Sequence, residues 1–143
     1  SLGQTSLEEF TNLVNIFRNH GTTRNLVPMH CISSYPTEEE DIQLGSLKRL
    51  RSLWLGEVGF SDHTFTSLAA QLACAIGVTY IEKHVTLDRS LEGPDHSFSA
   101  DPAGMESFVE SIRHAESMIG NDTFGVRPPE KFIHEKVRRV TDL

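Results

Sequence analysis

Apolar positions recur along this chain with two different periods, and the switching between them divides it into elements. Phe10, Leu13, Val14 and Phe17 fall at i, i+3, i+4 and i+7, the spacing of one helix face. Ser6 and Glu9 ahead of them form the pattern in which each side chain satisfies the other's free backbone N–H, and Gly21 closes the segment. Residues 26–33 are a short apolar run that predicts a strand, which stops before Pro36 because proline cannot donate to a sheet. Thr37 and Glu40 repeat the capping pattern ahead of Ile42, Leu47, Leu50, Leu53 and Trp54, a second helical stripe with Trp54 in the core. Residues 57–63 predict a second strand. Leu68, Leu72, Ala75 and Ile76 before Gly77 predict a third helix, and residues 79–87 a third strand. A loop of about a dozen residues follows, long against the usual 2–6 for such a connection. It ends at Asp101 and Pro102, an N-cap and the preferred first helical residue. Met105, Phe108, Val109, Ile112 and Ile119 then mark a helix that ends at Gly120.

The resulting order, αβαβαβα, implies an α/β fold with right-handed crossovers and a parallel sheet. Residues 1–120 form the expected domain. Residues 121–143, irregular, charged and interrupted by Pro128 and Pro129, read as a linker or docking tail.

Composition narrows the partners. A chain of 143 residues is one domain of ordinary size, expected to bury roughly 70% of its unfolded surface. A net charge of -7, with no basic face of any length beyond a short cluster such as Lys136, Arg138 and Arg139, argues against nucleic acid. There is no apolar run long enough for a membrane span and no signal-peptide pattern, so the expected location is cytoplasmic. Cys31 and Cys74 lack the spacing of a redox or metal motif and are expected as small buried apolar residues rather than a disulfide.

Each predicted strand ends in a polar i, i+2 pair: Ser33 and Tyr35, Ser61 and His63, Glu82 and His84. Side chains two apart on a strand share a face, and parallel α/β folds gather ligands at the carboxyl ends of their strands. A single strand histidine is commonly a hydrogen-bonded core group. Two on successive strands can converge on a divalent ion such as Mn²⁺, Co²⁺, Zn²⁺ or Mg²⁺, leaving open positions for water and substrate. Glu82, expected as a buried carboxylate on the His84 face, is a candidate for moving a proton or orienting a ligand. Asp62 and Lys83 point to the opposite face, where a salt bridge behind the sheet suits them. In the long loop, Gly93 and Pro94 fix a turn that presents Asp95. His20, His30, His114 and His134 are expected in surface or capping roles.

These motifs together resemble the N-acetylneuraminate (sialic acid) synthase family and its relatives that make legionaminic, pseudaminic and spore-coat sugars. The resemblance is carried by four segments in order: the strand end running from His30 to Thr37, Gly59-Phe60-Ser61-Asp62-His63-Thr64, Ile81-Glu82-Lys83-His84-Val85-Thr86-Leu87-Asp88-Arg89, and Gly93-Pro94-Asp95-His96. It implies the last part of a (β/α)₈ TIM barrel, with strands six to eight and their flanking helices. It also implies condensation of phosphoenolpyruvate with N-acetylmannosamine or a related amino sugar to a nine-carbon 2-keto acid, releasing phosphate. By the same resemblance His63 and His84 match the ligands of a divalent metal, Mn²⁺ first, with Mg²⁺ or Co²⁺ as alternatives. Ser61 and Ser33 match positions near the phosphoenolpyruvate phosphate, although some members carry Asn at Ser33. Glu82 matches a catalytic carboxylate, and Tyr35 and Asp95 match contacts to the sugar.

A complete barrel of this kind takes about 250 residues. The family's first five strands and its small C-terminal antifreeze-like domain have no counterpart here, and unpaired sheet edges need cover. The chain is therefore expected to be part of a longer protein or to assemble with another chain, as a homo-oligomer among the possibilities. The alternatives are a non-catalytic remnant or interaction module of that family and, from the pattern without the family, a metal-dependent hydrolase or aldolase.

Overall fold

The computed structural model describes residues 1–21 and 26–137; Arg138 and Arg139 of the basic cluster lie outside them. Its elements are α1 (Leu7–Asn19), β1 (Met29–Cys31), α2 (Leu44–Leu53), β2 (Gly59–Asp62), α3 (Leu68–Ile76), β3 (Tyr80–Lys83), α4 (Pro102–Ile119) and α5 (Lys131–Val137). The three strands form a small parallel sheet in the order β1-β2-β3.

α1 begins where its capping residues require. Ser6 N–H donates to Glu9 Oε2 at 2.7 Å, and Glu9 N–H donates to Ser6 Oγ at 3.2 Å. The Ser6 backbone N–H, and then the Ser6 hydroxyl, hold the Glu9 carboxyl below its usual value. Phe10 and Val14 are the buried positions of this helix. They join Ile42, Leu47, Leu50, Trp54, Val58, Phe60, Ala69 and Ala73 in one core on the helix side of the sheet. Phe10 meets Trp54 edge-on at 6.4 Å between ring centres.

Thr37 does not cap α2. Its hydroxyl donates to the Ser34 carbonyl at 2.8 Å and its N–H to the His63 carbonyl at 3.0 Å, so it ties the segment after β1 to the end of β2. A one-turn 3₁₀ helix over Glu39–Asp41 intervenes, and Gln43, at φ 54°, is the residue that enters α2. The stripe expected to be buried on α3 also shifts. Ala69, Ala70 and Ala73 face inward, while Leu68 and Leu72 are half-exposed. Small side chains let the helix seat closely on the sheet, whereas the bulky apolar positions fall one residue out of phase. Gly77 closes α3 at φ 95°, a conformation a side chain would resist, and the Arg51 guanidinium donates to the Ile76 carbonyl beside it.

β3 is shorter than expected. After Lys83 the chain pairs with the returning loop: Thr86 N–H donates to the Ala100 carbonyl and Ala100 N–H to the His84 carbonyl, each at 2.9 Å. Asp101 caps α4, accepting the Gly104 N–H at 2.7 Å, with Pro102 as its first residue. Beyond Gly120 the structure departs from the irregular tail expected there. Pro128–Glu130 form a 3₁₀ turn that runs into α5, and Arg127 N–H donates to Glu130 Oε2 at 2.7 Å at its start. His30 is likewise no surface residue. It is buried, its Nε2–H donates to the Ile42 carbonyl at 2.7 Å, and its ring stacks on Phe60.

Among the described residues no helix is long and apolar enough to cross a membrane. Leu47 is fully buried and Leu72 is 48% exposed. Chemical denaturation should therefore show Leu47→Ala losing about 2–5 kcal/mol of stability. The same measurement should show Leu72→Ala losing less than about 1 kcal/mol; equal losses would contradict the inward alanine face of α3.

Candidate functional site at the strand ends

The register of the sheet brings the candidate residues together. Ser61 pairs with Glu82, and Asp62 with Lys83, so the next residue on each strand, His63 and His84, emerges side by side. Their ring centres are 5.2 Å apart with the planes at 70°.

His63 is held by its backbone surroundings. Its Nδ1–H donates to the Ile32 carbonyl at 2.7 Å, and Cys31 Sγ lies 4.0 Å from the same nitrogen. A proton on Nδ1 leaves Nε2 with a free lone pair. Ser61 Oγ is 3.4 Å from Nε2, but its hydroxyl proton goes to Glu82 Oε1 at 2.6 Å, so it does not occupy that lone pair. Among the described residues the ring nitrogens of His84 have no hydrogen-bond partner, which leaves the two imidazoles with open donor atoms on the same side of the sheet.

An aromatic wall encloses the pair. Tyr35 lies 4.3 Å from His63 and 5.8 Å from His84, and Phe98 lies 5.1 Å from His84 and 5.5 Å from Tyr35. Phe98 is almost fully buried, and Tyr35 is 51% exposed. The sequence reading missed Phe98. Its signal was a lone aromatic in an otherwise polar loop, just before the Asp101 cap.

The other expected residues divide. Ser61 and Glu82 join the histidines, although Glu82 is exposed rather than buried because β3 lies at the edge of the sheet with this face uncovered. Ser1 Oγ approaches the same carboxylate at 3.5 Å. Ser33 is exposed beside Gly3, where a Cβ would come within 2.1 Å of the serine oxygen, so the chain before α1 crosses this strand end in close contact. Asp95 is exposed, and the structure gives its carboxylate no contact with the histidines or Glu82; its carbonyl accepts the Ser99 hydroxyl at 2.5 Å. Among the described residues no three His, Cys, Asp or Glu side chains gather as a ligand set. Asp62 and Lys83 form the expected ion pair on the opposite face, 3.3 Å apart and buried.

The loop that carries Asp95 is internally tied. Thr86 Oγ1 and His96 Nδ1 are 2.7 Å apart, and the Arg89 guanidinium donates to the Ser97 carbonyl. Asp88 accepts from both the N–H and the hydroxyl of Ser90, and these bonds, the backbone one foremost, hold its carboxyl below the usual value.

The model of the NeuB family matches residues 1–124, and this chain belongs to that family. It is 41% identical over 139 residues to an uncharacterized protein of Methanocaldococcus jannaschii, an alignment covering 97% of this chain and 41% of that protein. It is 37% identical over 146 residues to the N,N'-diacetyllegionaminic acid synthase of Legionella pneumophila, covering 100% of this chain and 41% of the synthase. Among solved structures, the N-acetylneuraminic acid (sialic acid) synthetase of Leptospira borgpetersenii in complex with citrate superposes with a TM-score of 0.83 at 31% identity. That match covers 94% of this chain and 46% of the synthetase. The chain thus spans less than half the length of these relatives.

A carboxylate with a depressed folded value stabilises the folded state above its unfolded value and loses that contribution as pH falls through the folded one. Exchange of the Ser90 amide, taken relative to its intrinsic rate, is therefore expected to accelerate as pH drops below the ordinary aspartate range. Asp88→Ala should remove that acceleration; an unchanged profile would show that Asp88 does not order the loop.

Proposed function

We propose that this chain supplies the metal-binding part of a sialic-acid-type synthase. In this reading its three strands are strands six to eight of a (β/α)₈ barrel, residues 1–120 belong to the barrel, and residues 121–143 lead away from it. The substrates are phosphoenolpyruvate and an N-acetylated amino sugar, joined by a carbon–carbon bond with release of phosphate. The observation that carries the reading is the adjacency of His63 and His84 with open ring nitrogens on one face.

Those residues fit a divalent ion. Two imidazoles that share one ion at about 2.1 Å per nitrogen, in adjacent coordination positions, hold their ring centres about 5 Å apart, and the observed separation is 5.2 Å. The Ile32 carbonyl fixes the His63 tautomer in the way a metal-bound histidine is usually oriented. Two protein nitrogens leave positions for water and for substrate oxygen, which suits Mn²⁺, with Mg²⁺ or Co²⁺ as alternatives. When bound there, such an ion acts as a Lewis acid toward the sugar aldehyde.

The remaining roles fall to the chain's own groups. Ser61 and Ser33 lie near the phosphoenolpyruvate phosphate, Ser61 directing its own proton to Glu82. Glu82, already accepting the Ser61 proton, takes part in proton transfer to or from the water that is consumed. Tyr35 supplies a flat wall for the sugar, and Asp95 accepts its hydroxyl hydrogen bonds once the loop and substrate meet. Association with further strands, from the same longer chain or from a second copy, pairs the open edge of β3 and closes the barrel around the polar face.

Two measurements test this. Mn²⁺ binding to the chain, followed by electron paramagnetic resonance, should weaken more than about 100-fold in His63→Ala and in His84→Ala. His114→Ala, on the exposed side of α4, should leave it unchanged; equal effects from all three would sink the metal assignment. The reaction itself can be read as phosphate release from phosphoenolpyruvate by a chimaera in which this chain replaces the matching stretch of the Legionella synthase. Release that is lost with His63→Ala is expected. A folded chimaera that releases none would overturn the synthase reading in favour of a non-catalytic interaction module.

A further inference from the structure

The hydrogen-bonded ladder between β2 and β3 stops one residue short of the histidines. Its last pair is Asp62 with Lys83, so the ladder itself does not fix the backbone of His63 or His84. Ile32 and Thr37 hold His63, and Ala100 holds the His84 carbonyl, but none of these bonds joins one histidine's flank to the other's. On the reverse face Lys83 Nζ lies 3.3 Å from Asp62 Oδ2 and donates to the Thr64 carbonyl, while Asp62 Oδ1 accepts the Thr64 N–H at 2.9 Å. Asp62 and Thr64 are the two chain neighbours of His63, and Lys83 is the residue before His84. One ammonium therefore ties both flanks of the first histidine to the near flank of the second. Phe108 of α4 lies under that ammonium, 5.2 Å from its ring centre, and closes it off on the helix side.

The energetics point the same way. The side chains of Lys83 and Asp62 are 6% and 0% exposed. An ion pair buried that deeply adds little stability beyond what apolar side chains of similar volume provide, because both charges lose their hydration. What this pair does add is direction, since it bonds to specific backbone atoms. We propose that Lys83 and Asp62 are positioning residues that set the relative orientation of His63 and His84. The proposal rests on the reading that these histidines share a divalent ion, and it concerns side chains that face away from that ion.

The test is the double variant Asp62→Asn/Lys83→Met, which removes both charges and keeps an oxygen for the Thr64 N–H. Three quantities are read on the full chain: the denaturation midpoint, Mn²⁺ affinity by electron paramagnetic resonance, and the nuclear Overhauser effect between the metal-free His63 and His84 rings. The expected result is an unshifted midpoint, an Mn²⁺ affinity lowered about tenfold, and a weakened contact between the rings. Wild-type affinity and ring contact in the folded double variant, with His63→Ala still abolishing binding, would overturn the positioning role alone. Binding unaffected by His63→Ala would overturn the metal reading on which it rests. Should the double variant not fold, Asp62→Asn alone is read in the same three ways. That single change leaves the Lys83 ammonium unpaired and lowers the midpoint; a loss of affinity and ring contact, both read in the folded variant below that midpoint, then supports the role, and wild-type values overturn it.

Discussion

The parallel pairing of β2 with β3 in one register is the constraint on which the rest of this structure depends. Because strand side chains alternate faces, a slip of one residue would exchange the two sides of β2 completely. In the observed register Ser61 and Glu82 meet on the open face, while Asp62 and Lys83 meet on the helix side. Phe60 then enters the core with Val58, and His63 and His84 leave the strands as neighbours. The apolar core and the polar cluster therefore enforce the same register from opposite faces. Neither could be shifted without disrupting the other.

The two faces are stabilised differently. On the helix side, non-directional burial is enough: the alanine face of α3 and the side chains of α1 and α2 exclude water over β2. At the strand ends, single groups are held by directional bonds. The Ile32 carbonyl orients the His63 ring, the Thr37 N–H holds the His63 carbonyl, and the returning loop takes the His84 carbonyl through Ala100. Two of these bonds come from the exit of β1 and the third from the long loop. The site is thus the place where the first strand's exit, the second strand's end and the long loop meet.

Membership of the NeuB family and the geometry of the strand ends support one another without being the same observation. The family match covers the whole αβαβαβα stretch. The geometry accounts for why those particular residues lie at strand ends: two imidazoles with open nitrogens, a carboxylate within reach of a serine hydroxyl, and an aromatic wall beside them. β3 is an edge strand of the sheet, and its polar side, with Glu82, is exposed.

Much of this was legible in the order of residues because it is local. Ser6 with Glu9, Asp101 with Pro102, and Gly77 act on backbone groups within four residues of themselves, so their sequence patterns carry the structure directly. The i, i+2 pairs could be placed on common faces for the same reason, and the Asp62–Lys83 pair followed from facing the other way. Where two parts of the chain had to meet, the pattern was insufficient. Thr37 looked like a helix cap, but the stronger partners for its hydroxyl and N–H were the Ser34 and His63 carbonyls. Large side chains suggested the leucine stripe of α3, but close seating on the sheet selected the alanines. Glu82 and His30 exchanged their expected exposures, one at an open sheet edge and the other beneath Phe60. Up to Gly120 the order of residues carried the helices and strands, their succession and the side chains that share a strand face, because these follow from the backbone's own periodicity. Tertiary structure alone decided the orientation of His63, the place of Phe98 and the separation of Asp95 from the cluster, because each depends on contacts between segments far apart in the chain.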